Sequence, residues 1–236
     1  MFDDLHVKVF ADGADLDAIL ALAADPRIAG FTTNPTLMWK AGLTDYEEFA
    51  KRLLERITTH PISFEVFADD AAEMRRQALM IAEWGENVYV KIPVSTTAGE
   101  SMAPLVRELS ESGVKVNVTA VFTTAQVELL TEAVREGAPS YISVFAGRIA
   151  DAGIDPVPLM ARAVDIMVAA PRSELIWASP REILNVVQAD QVGCHIITVT
   201  NDLLKKLDLL GKDLMQYSLE TVQMFRRDAL AAGFTL

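Results

Sequence analysis

The 236-residue sequence has one cysteine, Cys194, and three histidines, His6, His60 and His195. A single cysteine excludes an intramolecular disulfide framework and fits a reducing compartment, so the cytoplasm is the expected location. No histidine stands at metal-ligand spacing from another ligand, which argues against a zinc or iron site. His60, before Pro61, reads as a solvated loop residue. Cys194 and His195 read as packing at the start of the last strand. Apolar stretches are too short and too interrupted to span a bilayer. The opening residues MFDDLHVKVF carry acids where a signal peptide carries bases. Bases are outnumbered: 21 Lys and Arg against 33 Asp and Glu give a net charge of −12. Nucleic acid and an anionic membrane are therefore poor partners, while a small anion held by a few arginines is not excluded. There is no P-loop, no G-x-S-x-G elbow and no glycine-rich fingerprint after the first strand. Linkers and low-complexity runs are also lacking.

What is present is 51% hydrophobic residues, ample for a sizeable core. They fall into short apolar runs alternating with longer amphipathic ones. The runs predict strands at 7–11, 30–33, 62–66, 88–92, 115–120, 141–144, 175–178 and 196–199. Helices are expected at 15–23, 45–57, 70–83, 99–112, 123–136, 156–169, 181–189 and near 201–209. Eight βα units spaced by about 20–30 residues have the rhythm of a (β/α)8 barrel. An open doubly wound sheet is the alternative, weakened by the missing fingerprint. The expected fold is thus α/β, a single (β/α)8 TIM barrel domain over residues 1–236, with an extra C-terminal helix at about 212–231. Leu214, Leu219, Val222 and Phe225 give that helix an apolar face, for packing on the barrel or for oligomer contacts.

In such a barrel the C-terminal ends of the strands build the active site. The run VYVKIPV, Val88–Val94, places one ammonium group, Lys91, in an otherwise buried strand. It reads either as a lysine snorkelling out at a strand end or as a desolvated amine able to attack a carbonyl. Other polar residues fall at the same rim: Asp12, the Thr33-Asn34-Pro35 segment, Glu65, Asn117 with Thr119, Ser143, Arg148, Ser179 and Arg181. Each has a plain reading, as a helix cap, a turn, a surface pair, a satisfied core polar or a solvated arginine. Their coincidence on one rim is a functional-site signature.

Four segments carry a family resemblance: GFTTNPTL (Gly30–Leu37), VYVKIPV, NVTAVFTTAQ (Asn117–Gln126) and SVFAGRIAD (Ser143–Asp151). They resemble, collinearly, the transaldolase family of class I aldolases, which includes the small fructose-6-phosphate aldolases. The resemblance implies that Lys91 forms a Schiff base with a ketose phosphate and that Asp12 takes the C4 hydroxyl proton. Glu65 and Thr119 would position a water. Asn34, Asn117 and Ser143 would hold the dihydroxyacetone hydroxyls, with Thr33 and Phe145 also among the substrate-binding residues. Arg148, with Ser179 and Arg181, would hold the phosphate. No metal or organic cofactor is implied, because the imine is the electron sink. Sugar phosphates are the implied substrates, and a homo-oligomer, pentamer or decamer, is the implied assembly.

Glu65, Asn117, Ser143 and Phe145 resemble the transferase branch; the aldolase branch tends to carry glutamine, leucine, alanine and tyrosine there. The implied activity is therefore transaldolase. A lyase releasing free dihydroxyacetone and a non-catalytic sugar-phosphate-binding barrel are the alternatives. The sequence departs from the family pattern at Thr36, in the loop Ser95–Ser101, at Pro180, and in ITVTNDLL (Ile196–Leu204) where paired prolines are usual.

Overall fold

The computed structural model describes residues 4–234. The β-branched runs form parallel strands: β1 (Lys8–Asp12), β2 (Ile28–Thr32), β3 (Ile62–Glu65), β4 (Val88–Pro93), β5 (Val116–Val121), β6 (Tyr141–Val144), β7 (Glu174–Trp177) and β8 (Ile196–Thr200). They pair in sequence order and β8 closes against β1, giving the expected (β/α)8 barrel. The helices are α1 (Leu16–Leu22), α2 (Pro35–Lys40), α3 (Tyr46–Leu54), α4 (Ala71–Ala82), α5 (Ala103–Glu111), α6 (Thr124–Val134), α7 (Ala146–Asp151), α8 (Pro156–Met167), α9 (Leu184–Gln191), α10 (Asn201–Leu204) and α11 (Leu214–Ala231). Asp15, Asp45, Asp70 and Thr123 cap α1, α3, α4 and α6 by accepting a backbone N–H. Among the described residues, no helix is long and apolar enough to cross a membrane.

Alternation along each strand divides the side chains between two environments. One set packs outward against the helices and makes the main core, with Phe31, Phe64, Ile92, Val118 and Trp177 wholly buried. The other set fills the barrel interior in layers. The lower layer includes Phe10, Tyr141, Ile176 and Ile196, with Tyr89 packed against them. Tyr89 stacks on Tyr141 at 4.0 Å between ring centroids, and Phe10 meets Tyr141 edge-on at 5.8 Å. Gly30 belongs to this layer because a Cβ there would lie 2.6 Å from the Phe10 ring. Two residues further along each strand stand Asp12, Thr32, Lys91, Ser143 and Thr198, so the aromatic plug is the floor beneath the polar layer. Cys194 is buried, and desolvation pushes its thiol up to about 12, in keeping with a packing role.

Several boundaries differ from the sequence expectation. The Thr33-Asn34-Pro35 segment is more than a turn: Asn34 accepts from Leu37 N–H and starts α2, with Pro35 in the first turn. Likewise α7 inserts directly after β6 and carries Arg148. The helix expected from 99 begins at Ala103, because Ser95 and Ser101 bridge to form a small hairpin first. The helix expected from 181 begins at Leu184, since Asn185 Oδ1 gathers the N–H groups of Arg181 and Glu182 into a non-helical loop. The helix expected at 201–209 breaks after Leu204 into a 3-10 turn at Leu207–Leu209.

Candidate active site

A cavity of about 470 Å³ opens at the C-terminal ends of the strands. Its lining includes Asp12, Asn34, Glu65, Lys91, Thr119, Ser143, Phe145, Arg148 and Ser179. Strand register brings these groups together: Lys91 pairs with Glu65 on β3 and with Asn117 on β5, and Asp12 pairs with Thr32 on β2.

Lys91 does not snorkel to solvent, for it is 6% exposed. Its Nζ donates to the Thr33 carbonyl at 2.9 Å and lies 3.4 Å from Glu65 Oε2. Thr33 itself is fixed from behind, its Oγ1 donating to Ser63 O at 2.8 Å. Thr33 thus supports the lysine but does not line the cavity. Glu65 is held by its backbone: Tyr46 OH, reaching in from α3, accepts from Glu65 N at 2.6 Å and donates to its carbonyl at 3.2 Å. Burial pushes the Tyr46 phenol well above its ordinary range, so it stays neutral.

Asp12 accepts from Thr32 Oγ1 at 2.8 Å on Oδ1 and from Asn34 Nδ2 at 3.3 Å on Oδ2. Burial raises its carboxyl above the ordinary range. The Lys91 charge and the two hydrogen bonds oppose that rise without cancelling it. A carboxylate whose pKa is raised by burial is a stronger proton acceptor than an ordinary aspartate.

On the opposite wall, Ser143 Oγ donates to Asn117 Oδ1 at 2.7 Å, and Asn117 Nδ2 donates to Ser63 Oγ at 2.9 Å. Asn117 is fully buried and does not line the cavity; it holds Ser143 in place. Thr119 Oγ1 is buried without a hydrogen-bond partner in the protein. It lies within the irregular stretch of the β5–β6 pairing, between Val118 and Val121, beside Ala120 at φ 60°. A buried hydroxyl without a protein partner, aimed into a polar cavity, fits a site that binds water or substrate there.

The far end of the cavity is basic. The Arg148 guanidinium sits over the Phe145 ring at 5.2 Å. Its exposed head makes no carboxylate ion pair with any described residue. Ser179 adopts φ 62°, which turns the β7–α9 connection back toward α7. Gly147 permits the approach: a Cβ there would fall 1.5 Å from the Ser179 carbonyl. Arg181 is not brought to this cavity. Its guanidinium forks onto the Asp151 carboxylate, with Nε 3.0 Å from Oδ1, and both side chains are about half exposed.

Sequence reasoning gave no role to four residues here: Ser63, Tyr46, Thr32 and Thr198. Thr198 lines the cavity from β8, a strand to which no site residue was assigned. The signal available was period two, since Thr198 shares a face with Ile196, and Ser63 with Glu65.

A sequence model of the transaldolase/fructose-6-phosphate aldolase family matches residues 9–235. Proteins named "probable transaldolase" are similar over most of their length. One from Streptococcus equi subsp. zooepidemicus (strain MGCS10565) is 37% identical over 202 residues, covering 85% of this chain and 90% of its own. One from Dehalococcoides mccartyi is 35% identical with the same coverage. Among solved structures, 2,3-dimethylmalate lyase aligns with a TM-score of 0.57 over 99% of this chain and 86% of its own. At 12% identity that likeness speaks for the barrel fold alone.

Proposed function

The chain belongs to the transaldolase/fructose-6-phosphate aldolase family, and on that premise we propose that it transfers a dihydroxyacetone unit between sugar phosphates through a Schiff base on Lys91. The observation that carries this reading is the buried Lys91 amine, 3.4 Å from Glu65, in one cavity with the upward-tuned Asp12.

The steps of this proposal are those the family resemblance implies, with each role given to a residue at the cavity. Glu65 is placed to accept a proton from the Lys91 ammonium, and the amine then attacks C2 of a ketose phosphate such as fructose 6-phosphate. The carbinolamine loses water to give the imine, with Glu65 and Thr119 moving the protons through a water. Asp12 takes the C4 hydroxyl proton, the C3–C4 bond breaks, and its electrons pass into the protonated imine. An aldose phosphate leaves and a three-carbon enamine stays on Lys91. An aldose phosphate acceptor such as erythrose 4-phosphate is attacked by C3 of that enamine, Asp12 returns its proton, and hydrolysis of the imine releases the product. Asn34 and Ser143 face the hydroxyls, while Arg148 and Ser179 hold the phosphate, a guanidinium fork matching its oxygens. Phe145 favours transfer over release, because a phenyl ring has no hydroxyl to orient a water that protonates the enamine.

Incubating the protein with fructose 6-phosphate, with and without erythrose 4-phosphate, tests this. Turnover should require the acceptor, and borohydride should trap an adduct. Acceptor-independent release of dihydroxyacetone would favour the lyase, and binding with neither imine nor exchange would favour a non-catalytic role.

The phosphate assignment separates two arginines. Arg148→Ala is expected to raise KM for fructose 6-phosphate about 10–100-fold, the value of a charge-assisted contact. Arg181→Ala, which frees only an exposed ion pair, should change KM less than about threefold. Steady-state kinetics on both variants check this.

The proposed assembly rests on α11. No residue on it is buried, and Leu219, Val222 and Phe225 on its apolar face are exposed. A second copy covering this face fits the homo-oligomer implied by the family resemblance. Sedimentation should give a multimer, and Val222→Lys with Phe225→Lys should shift it toward monomer.

A further inference from the structure

Three neighbouring strands meet at the closure of the barrel, β8, β1 and β2, and each contributes one oxygen to a continuous contact. Thr32 Oγ1 is 2.8 Å from Asp12 Oδ1 and 2.5 Å from Thr198 Oγ1. Both threonines are almost wholly buried, and both line the cavity. With Asp12 ionised, proton counting fixes the direction of this chain. An ionised carboxylate only accepts, and a threonine hydroxyl has one proton to give. The Thr32 proton is therefore committed to Asp12, and the Thr32–Thr198 contact must use the proton of Thr198. We propose that Thr198 is a positioning residue for Asp12, acting through Thr32 in a one-way hydroxyl chain from β8 to β2 to β1.

Two consequences follow. Thr198 has no proton left for substrate, so its part is played at a distance. Its dipole also adds to that of Thr32, and hydrogen bonds in series strengthen one another at a site screened from water. The chain orients Oδ1 and leaves Oδ2, opposite Asn34, as the oxygen open to the substrate hydroxyl. The charged group acting on Asp12 is Lys91 from β4, which favours the carboxylate and is itself tied to Glu65 on β3. From β2, α2 and β8 the facing groups are the neutral Thr32, Asn34 and Thr198.

The catalytic meaning of this chain rests on the reading of Asp12 as the base, and the experiment keeps the two apart. The Asp12 carboxyl is titrated by 13C NMR in the whole protein, and the acid limb of kcat/KM is followed beside it. Thr32→Val should raise the Asp12 midpoint by about one pH unit, having removed a hydrogen bond to the charged form. Thr198→Val should raise it by about 0.1–0.3 unit, the cooperative share. In the Thr32→Val background, Thr198→Val should add nothing, because the link through which it acts is gone. Thr198→Ser should restore the native midpoint. An equal shift by Thr198→Val in both backgrounds, or none in the native one, overturns the chain. A midpoint that moves while the acid limb stays still upholds the chain and overturns the reading of Asp12 as the base.

Discussion

Lys91→Met is expected to remove turnover with ketose phosphates by a factor of about 10⁴ or more, since no other group in the cavity replaces the nucleophile. Methionine fills the slot of the lysine stem but carries no amine. The fold should survive. Glu65 loses its ammonium partner, and Thr33 O loses a donor. Glu65 lines the cavity, so water can solvate it, and the loss in stability should be about 1–3 kcal/mol. Lys115 provides the control. Its ammonium binds Glu86 O and lies 5.8 Å from the Tyr89 ring centroid, on the floor side of the barrel. Lys115→Met should keep full activity. Borohydride trapping with fructose 6-phosphate, read by mass spectrometry, should label the native protein and Lys115→Met at Lys91 and leave Lys91→Met unlabelled. Equal labelling of all three would put the imine elsewhere.

How far such a site is legible in sequence depends on what kind of residue carries it. A lysine or a carboxylate in a β-branched run conflicts with its surroundings, and that conflict exposed Lys91, Asp12 and Glu65 before any geometry. Strand alternation then set the face, and the strand ends set the rim. Thr198 produced no conflict, because threonine is at home in a strand. Its role appears only once β8 closes on β1 and brings it within reach of Thr32. Asn117 was read at the rim, on one face with Thr119, yet its side chain is engaged by Ser63 and Ser143, which alternation cannot reveal. Arg181 stands at the end of β7 in sequence. The left-handed Ser179 and the carboxylate of Asp151, 30 positions earlier, direct it away from the cavity. The short helices α2 and α7 were invisible for a simpler reason: six residues span less than two turns, too few to show a period.

Asp12→Asn should separate activity from stability. Turnover is expected to fall about 10²–10⁴-fold, as for a lost general base. The stability effect has a sign set by linkage. Burial holds the Asp12 carboxyl above its unfolded value. A group raised in the folded state contributes stability below its unfolded pKa and loses it as pH rises through the folded one. Above its folded titration the native protein therefore carries an unfavourable buried carboxylate. Asparagine removes that charge. Its carbonyl still accepts from Thr32, but its amide then faces the Asn34 amide, whose oxygen is already committed to Leu37 N. That mismatch costs about the same at every pH. The diagnostic is thus the pH dependence of the difference: the variant should be most favoured relative to the native protein at neutral pH. Its advantage should shrink as pH falls through the Asp12 titration toward the ordinary aspartate range. Urea unfolding midpoints of both proteins between pH 4 and pH 8 measure this. A difference that stays flat, or grows toward acid, would mean that Asp12 is not raised in the folded protein and that its tuning as a base must be sought in the substrate complex.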